Sequence, residues 1–272
     1  MTNDLTHDPG NQHPTLEELR AVVQPPEHIA RYNAEHWAGA LYMRHASLRA
    51  TKLLLPTGIS ANGVTWLMIV VGVVGGFLLW LPGLWGPVVA VLAMQLQLLL
   101  DCSDGEVARW RQRFSPAGIY LDRVGHYLTE GMLPIALGLR ADHWSIGHAF
   151  DVGGWTVLGF LVAVIVLWNK AFTDLVHVAR AKTGRPMLDD VASTARSRVS
   201  GVARARQLFT YLPIFRAFIA IEFSVLTFVA GVADVLQGDR LGSQVLLLIC
   251  VPLAFVTAAG HLLGVLTSSR LK

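Results

Sequence analysis

Residues 64–81 read V-T-W-L-M-I-V-V-G-V-V-G-G-F-L-L-W-L, a run without one charged side chain, stopped by Pro82-Gly83. A run this long and apolar is of membrane-spanning length, and in lipid only a helix or a closed barrel satisfies every backbone N–H and C=O. Comparable runs follow at about 88–107, 118–139, 155–173, 209–232 and 244–266. With 53% of the 272 residues hydrophobic, the chain is too apolar for an ordinary soluble domain. The expected fold is therefore an all-α integral membrane protein with six transmembrane helices in a single domain over residues 63–272, without internal repeats.

The remainder precedes the first span. Residues 1–24 are rich in Asn, Asp, His and Thr and are expected to be disordered, or to form one short exposed helix at L-E-E-L. The chain shows no apolar stretch of the kind that makes a cleavable signal peptide there, so the first span is expected to direct membrane insertion. Residues 25–62 form an amphipathic juxtamembrane helix and linker. Ile29, Tyr32, Trp37 and Leu41 roughly share a face, with Arg31, Arg44, Arg49 and Lys52 elsewhere. Such a helix lies on the membrane interface or packs against the protein's own cytoplasmic side, and both readings stay open. Placing the N-terminus inside puts this helix, Arg180, Lys182, Arg185, Arg196, Arg198, Arg204 and Arg206 of one loop, and Arg270 with Lys272 in the cytosol. Only Arg140 and Arg240 fall on the other side, so the cation bias favours that orientation in the cell or inner membrane. The formal charge of +3 fits basic cytoplasmic loops and implies no nucleic-acid partner. Cys102 and Cys250 indicate no disulfide framework, and Cys102 reads as packing.

Between the second and third runs lies D-C-S-D-G-E-V-A-R-W-R-Q-R-F-S-P-A-G-I-Y-L-D-R-V-G-H, residues 101–126. Asp101, Asp104 and Ala108 share one helix face, and Gly118, Asp122 and His126 share another, with Ser115-Pro116 between them. The pattern predicts a helical hairpin whose ionisable groups face each other at the cytosolic membrane surface. Ionisable groups at that depth are costly and read as functional. Clustered carboxylates call for a positive charge between them, and oxygen ligands suit Mg2+ or Mn2+. Asp101, Asp104 and Asp122 are the candidate metal ligands. Two such ions would clamp a diphosphate. Gly105 and Gly118 lack a Cβ and leave the backbone open to close approach, Ala108 keeps that face open, and Arg109 binds phosphate or pairs with Glu106.

This stretch resembles the signature of the CDP-alcohol phosphotransferases, D-x2-D-G-x2-A-R-x8-G-x3-D-x3-D. Asp101, Asp104, Gly105, Ala108, Arg109, Gly118 and Asp122 stand at its spacing, while His126 occupies the position of the final Asp. The segment I-S-A-N-G-V-T, 59–65, is similar to the P-N-x-(L/V)-T element that precedes the family's first span, with Ala61 for proline. The resemblance implies a nucleotide role for the D-x2-D-G-x2-A-R residues. It also implies a reaction in phospholipid or related lipid biosynthesis: an acceptor hydroxyl attacks the β-phosphorus of a CDP-alcohol, commonly CDP-diacylglycerol, and CMP leaves. It implies a homodimer in the bilayer, and a final Asp that acts as base and holds metal. His126 is expected to replace that Asp as base or ligand, with Glu130 one turn on, orienting the imidazole or supplying a carboxylate through water.

Outside the motif, Arg216 lies about two turns into the fifth run and either binds the acceptor's phosphate or polar head, or snorkels to the interface. Lys170 and Asp174 are spaced to pair with each other, and Glu222 and His261 read as packed, hydrogen-bonded groups. Two other readings compete. A polyprenyl transferase also places aspartates at helix tips, but resembles N-D-x-x-D, which is missing here. A catalytically inactive family member that binds nucleotide or lipid is the other, and His126 is the residue that raises it.

Overall fold

The computed structural model describes residues 8–25, 38–148, 150–186 and 216–271. Among these there is no β-strand. The helices are α1 (Leu16–Val23), α2 (Arg44–Leu54), α3 (Ala61–Phe77), α4 (Trp85–Trp110), α5 (Pro116–Ala141), α6 (Gly154–Lys182), α7 (Ala220–Gln237) and α8 (Leu241–Thr267). Five of them are long and apolar enough to cross a membrane: α3 with its 3-10 extension to Trp80, α4, α6, α7 and α8. Helix α5 has 26 residues, roughly 39 Å at 1.5 Å per residue. Its Asp122, Arg123, His126, Glu130 and Arg140 interrupt its apolar surface. The chain is thus an all-α integral membrane protein, and the most polar of its long helices carries half of the motif. Trp66, Val70 and Val74 of α3 and Leu248, Ile249 and Phe255 of α8 are exposed, as befits helices apolar on all sides.

Two compact units divide the chain: Met1–Gly72 with Gln95–His126, and Val73–Met94 with Tyr127–Lys272. In the first, α1 begins at a capping box. Thr15 Oγ1 accepts from the Glu18 N–H at 3.2 Å and the Glu18 carboxylate accepts from the Thr15 N–H at 2.8 Å. Leu19 and Val23, on one face of α1, pack with Leu48 and Leu55 against Val107 and Trp110 of α4. Over its described residues, the N-terminal segment forms one short helix at L-E-E-L, exposed on its outer face and buried at Leu19 and Val23. The spacing of Leu19 and Val23 gives α1 an apolar face that α4 covers. Ile29, Tyr32 and Trp37 lie outside the described residues. Helix α2, preceded by a π-helical turn at Gly39–Met43, buries Ser47, Leu48 and Thr51 and leaves Leu53 exposed. Helix α5 meets α3 at Gly125, where a Cβ would stand 2.4 Å from Met68 Cε and 2.8 Å from Ile69 Cγ1.

The second unit is fastened by Arg140, which sequence reasoning counts among the extramembrane cations. It is instead helical and fully buried. Its guanidinium donates to the Leu81 and Gly83 carbonyls at 2.7 and 2.8 Å and to Asp234 Oδ2 at 3.1 Å. Asp234 also accepts from Ser243 N and Oγ, so the acid and the base are both satisfied. Helix α8 packs against α6 and α7. Lys170 and Asp174 do not pair with each other as their spacing suggests: Lys170 Nζ meets Glu130 at 2.8 Å, and Asp174 accepts from the Tyr127 hydroxyl at 2.6 Å. Tertiary partners on α5 win over the weak i,i+4 pairing. His261 Nδ1 lies 2.7 Å from Asn169 Oδ1, a hydrogen-bonded histidine as expected. Helix α6 continues to Lys182, nine residues past the expected end of the fourth span. The fifth begins at Ala220, and residues 209–215 lie outside the described residues.

Candidate active site

The hairpin is built by local chemistry at both helix ends. Helix α4 closes in a Schellman arrangement, with Arg113 N donating to Ala108 O at 3.0 Å and Gln112 N to Arg109 O at 3.3 Å. Gln112 takes the left-handed conformation there, at φ 50°. Helix α5 opens with Ser115 as its cap: Ser115 Oγ accepts from Gly118 N at 3.0 Å, and Pro116 occupies the first turn. Gly118 lies close against Asn62: a Cβ would stand 2.9 Å from its Oδ1, the movable end of that side chain. That asparagine comes from the I-S-A-N-G-V-T element and shares a 3.4 Å hydrogen bond with Ser115.

The turn brings Asp101 of α4 opposite Asp122 and His126 of α5. His126 Nε2 stands 3.4 Å from Asp101 Oδ1 and 3.4 Å from Asp122 Oδ1. One ligand atom from each of the three residues fits within a 4.8 Å group. Two carboxylate oxygens and an imidazole nitrogen at that spacing form a donor set that fits a divalent cation. The three side chains are 26%, 38% and 35% exposed, so solvent and solutes reach them.

Asp104, expected in the same ligand set, lies outside this group of three. Its Oδ2 accepts from Thr65 Oγ1 at 2.6 Å, and Thr65 is buried. Asp104 lines a cavity of about 520 Å³ together with Gly105, Ala108, Arg109, Gly118 and Asp122. Six of the expected site residues thus share one cavity, and Asp122 belongs to both the cavity and the metal-ligand group. Sequence reasoning missed Thr65, Asn62 and Arg113 as lining residues. The first two stand in the I-S-A-N-G-V-T element, which was the available signal.

Arg109 lies against Gly105: a Cβ there would stand 3.1 Å from Nη1 and 3.4 Å from Nη2. Its Nε donates to the Val23 carbonyl at 2.7 Å. The alternative partner, Glu106, is fully buried and accepts from Gln24 Nε2, Ser47 Oγ and Thr51 Oγ1 at 2.7, 2.6 and 2.7 Å. Glu130, expected behind His126, belongs to the other unit and forms the ion pair with Lys170. Arg216 also belongs to the other unit. It precedes α7, its carbonyl accepts from Ile219 N at 3.0 Å, and the two turns of span expected before it lie outside the described residues.

A family model described as CDP-alcohol phosphatidyltransferase matches residues 58–267. Comparison with individually curated proteins gives no match.

Proposed function

The chain belongs to the CDP-alcohol phosphatidyltransferase family, and on that premise we propose that it moves a phosphatidyl group from CDP-diacylglycerol to an acceptor hydroxyl, releasing CMP at the cytosolic membrane face. The observation that carries this reading is the shared cavity of Asp104, Gly105, Ala108, Arg109, Gly118 and Asp122, joined through Asp122 to a cation-ready carboxylate–imidazole group. A nucleotide needs a close backbone approach, a cation for its phosphates and a metal-binding edge, and the cavity supplies residues for each.

In this reading Asp101, Asp122 and His126 would hold Mg2+ or Mn2+, and Asp104, steadied by Thr65, would be available to a second ion. Bound there, a divalent cation would draw charge from the diphosphate and make CMP a better leaving group. Arg109 binds a nucleotide phosphate through its Nη atoms. The acceptor oxygen forms a bond to the β-phosphorus as the bond from that phosphorus to the bridging oxygen breaks, and CMP departs with the bridging oxygen. His126 is either a metal ligand or the base that takes the hydroxyl proton at Nε2, since one nitrogen cannot do both at once. Arg216 grips the acceptor's phosphate or polar head, and the enzyme works as a homodimer, as the resemblance implies.

The test is CMP release by the purified protein in detergent with CDP-diacylglycerol. The acceptor panel is glycerol phosphate, inositol phosphate, serine and a lipid headgroup alcohol, each assayed with Mg2+, with Mn2+ and with chelator. Release with at least one acceptor, lost on chelation, is the expected result. CMP binding without release under any condition would favour the inactive family member, and neither binding nor release would end the nucleotide reading.

A further inference from the structure

The family match begins at residue 58, yet the motif helix is fastened to residues that precede it. Glu106, inside D-x2-D-G-x2-A-R, turns away from the cavity and is fully buried. A buried carboxylate is costly unless hydrogen-bonded, and three donors meet it: Gln24, Ser47 and Thr51. All three precede residue 58. Gln24 also donates to the Arg44 carbonyl at 2.9 Å, which ties the end of α1 to the start of α2. The residue next to Gln24 supplies the second link, since Val23 O accepts from Arg109 Nε at 2.7 Å. One turn of chain therefore grips Glu106 with its side chain and Arg109 with its backbone. Trp110 adds a third tie, its Nε1 donating to Asn11 O at 2.8 Å.

A stabilising patch alone has no need of a carboxylate at 106. An apolar side chain of similar volume is often neutral or better at a buried charged position. A carboxylate does something an apolar group cannot: it demands donors at set positions, and so sets the register of the segment against α4. That register brings the Val23 carbonyl to Arg109. With Nε held, the guanidinium is turned so that both Nη atoms lie over Gly105.

We propose that the segment before residue 58 is a positioning element of the active site, in which Glu106, gripped by Gln24, Ser47 and Thr51, sets the Val23 carbonyl to hold the Arg109 guanidinium over Gly105 for the nucleotide's phosphate. Gln24 and Thr51 are positioning residues acting through Arg109. The nucleotide as object rests on the transferase reading.

The experiment is a double-mutant cycle on full-length protein in detergent, read as CMP affinity by calorimetry beside thermal unfolding. Gln24→Met and Thr51→Val keep side-chain size while removing the donors, and each is combined with Arg109→Lys, which keeps charge but loses the Nε donor and the planar fork. Each single variant is expected to weaken CMP binding by about three- to tenfold, and to add nothing in the Arg109→Lys background, the coupling expected of residues that act through one group. Thr51→Ser, which retains the hydroxyl, should bind CMP as the wild type does. If Gln24→Met fails to fold, the Thr51 cycle carries the test. Unchanged CMP affinity in the single variants, or equal losses in both backgrounds, overturns the positioning role while leaving the transferase reading intact. A wild type that binds no CMP overturns the transferase reading, and this proposal with it.

Discussion

Replacing Gly105 by alanine separates stability from binding with opposite signs. Gly105 sits inside α4, where alanine is favoured over glycine by about 0.5–1 kcal/mol. The new Cβ meets no backbone. Its nearest neighbours are Arg109 Nη1 at 3.1 Å, Nη2 at 3.4 Å and Cζ at 3.6 Å, the far end of one side chain. The guanidinium must yield by a few tenths of an ångström, and with Nε tied to Val23 O it can do so only by swinging its Nη atoms off the Gly105 face. Folding is then unharmed, while the phosphate loses an aligned, charge-assisted hydrogen bond of about 1.5–3 kcal/mol. At 1.36 kcal/mol per decade that is about a ten- to hundredfold weaker CMP affinity. Thermal unfolding of Gly105→Ala in the wild-type detergent should give an unchanged or higher Tm, and CMP titration should give the loss. Wild-type affinity in this variant would refute the placement of a nucleotide phosphate at Arg109. A lowered Tm would refute the packing argument.

Three further outcomes are expected. Arg140→Met strands the buried Asp234 carboxylate and should lower stability by about 3–5 kcal/mol, and Arg140→Met with Asp234→Leu should recover most of it in the same unfolding assay. Gln112→Gly relieves a left-handed residue at φ 50° and should raise stability by about 1 kcal/mol without altering CMP release. The proposed cytosolic orientation predicts that a cysteine at Thr183 is labelled only from the cytosolic side of sealed vesicles and one at Ser145 only from the opposite side; reversed labelling would overturn that orientation.

What could be read from the sequence follows the range of the interactions involved. Apolar runs announce spanning helices because lipid imposes one local rule on each of them, and α3, α4, α6 and α8 appear within a few residues of expectation, α6 extending further. The motif's hairpin is legible because its turn chemistry is local: Ser115, Pro116 and the helix spacing bring Asp101, Asp122 and His126 together. The partners of Glu106 are not legible, since they lie 82, 59 and 55 residues away, Gln24 in a polar N-terminal stretch and Ser47 and Thr51 on an amphipathic helix with no local sign of what it covers. Arg140 misleads for the same reason. A cation near a helix end looks solvated until a carboxylate 94 residues on is found beside it. Spacing alone groups Asp104 with the metal ligands; its hydrogen bond from Thr65, 39 residues earlier, is a tertiary contact that spacing does not announce.

The protein treats its inward-facing charges in two opposite ways, and the contrast bears on the metal. Arg140, Asp234 and Glu106 are buried, and hydrogen bonds satisfy each of them. Asp101 and Asp122 are left partly open, with one imidazole nitrogen 3.4 Å from each. A group selected only for stability would place a lysine or arginine between two carboxylates. Histidine there can carry a positive charge between the carboxylates or, once deprotonated, offer a nitrogen ligand, and exchanging one for the other is what a cation-binding site requires. It also changes which cation is favoured. An all-oxygen set suits Mg2+, whereas an imidazole nitrogen shifts preference toward Mn2+. His126→Asp, which places there the residue that the motif resemblance implies, adds a negative charge and an oxygen ligand, so Mg2+ binding should tighten and the ratio of Mn2+ to Mg2+ affinity should fall. Competition between the two ions, followed by Mn2+ electron paramagnetic resonance on protein without nucleotide, reads that ratio independently of turnover. A ratio identical in wild type and His126→Asp would show that residue 126 does not ligate the metal, and would leave His126 the role of base alone.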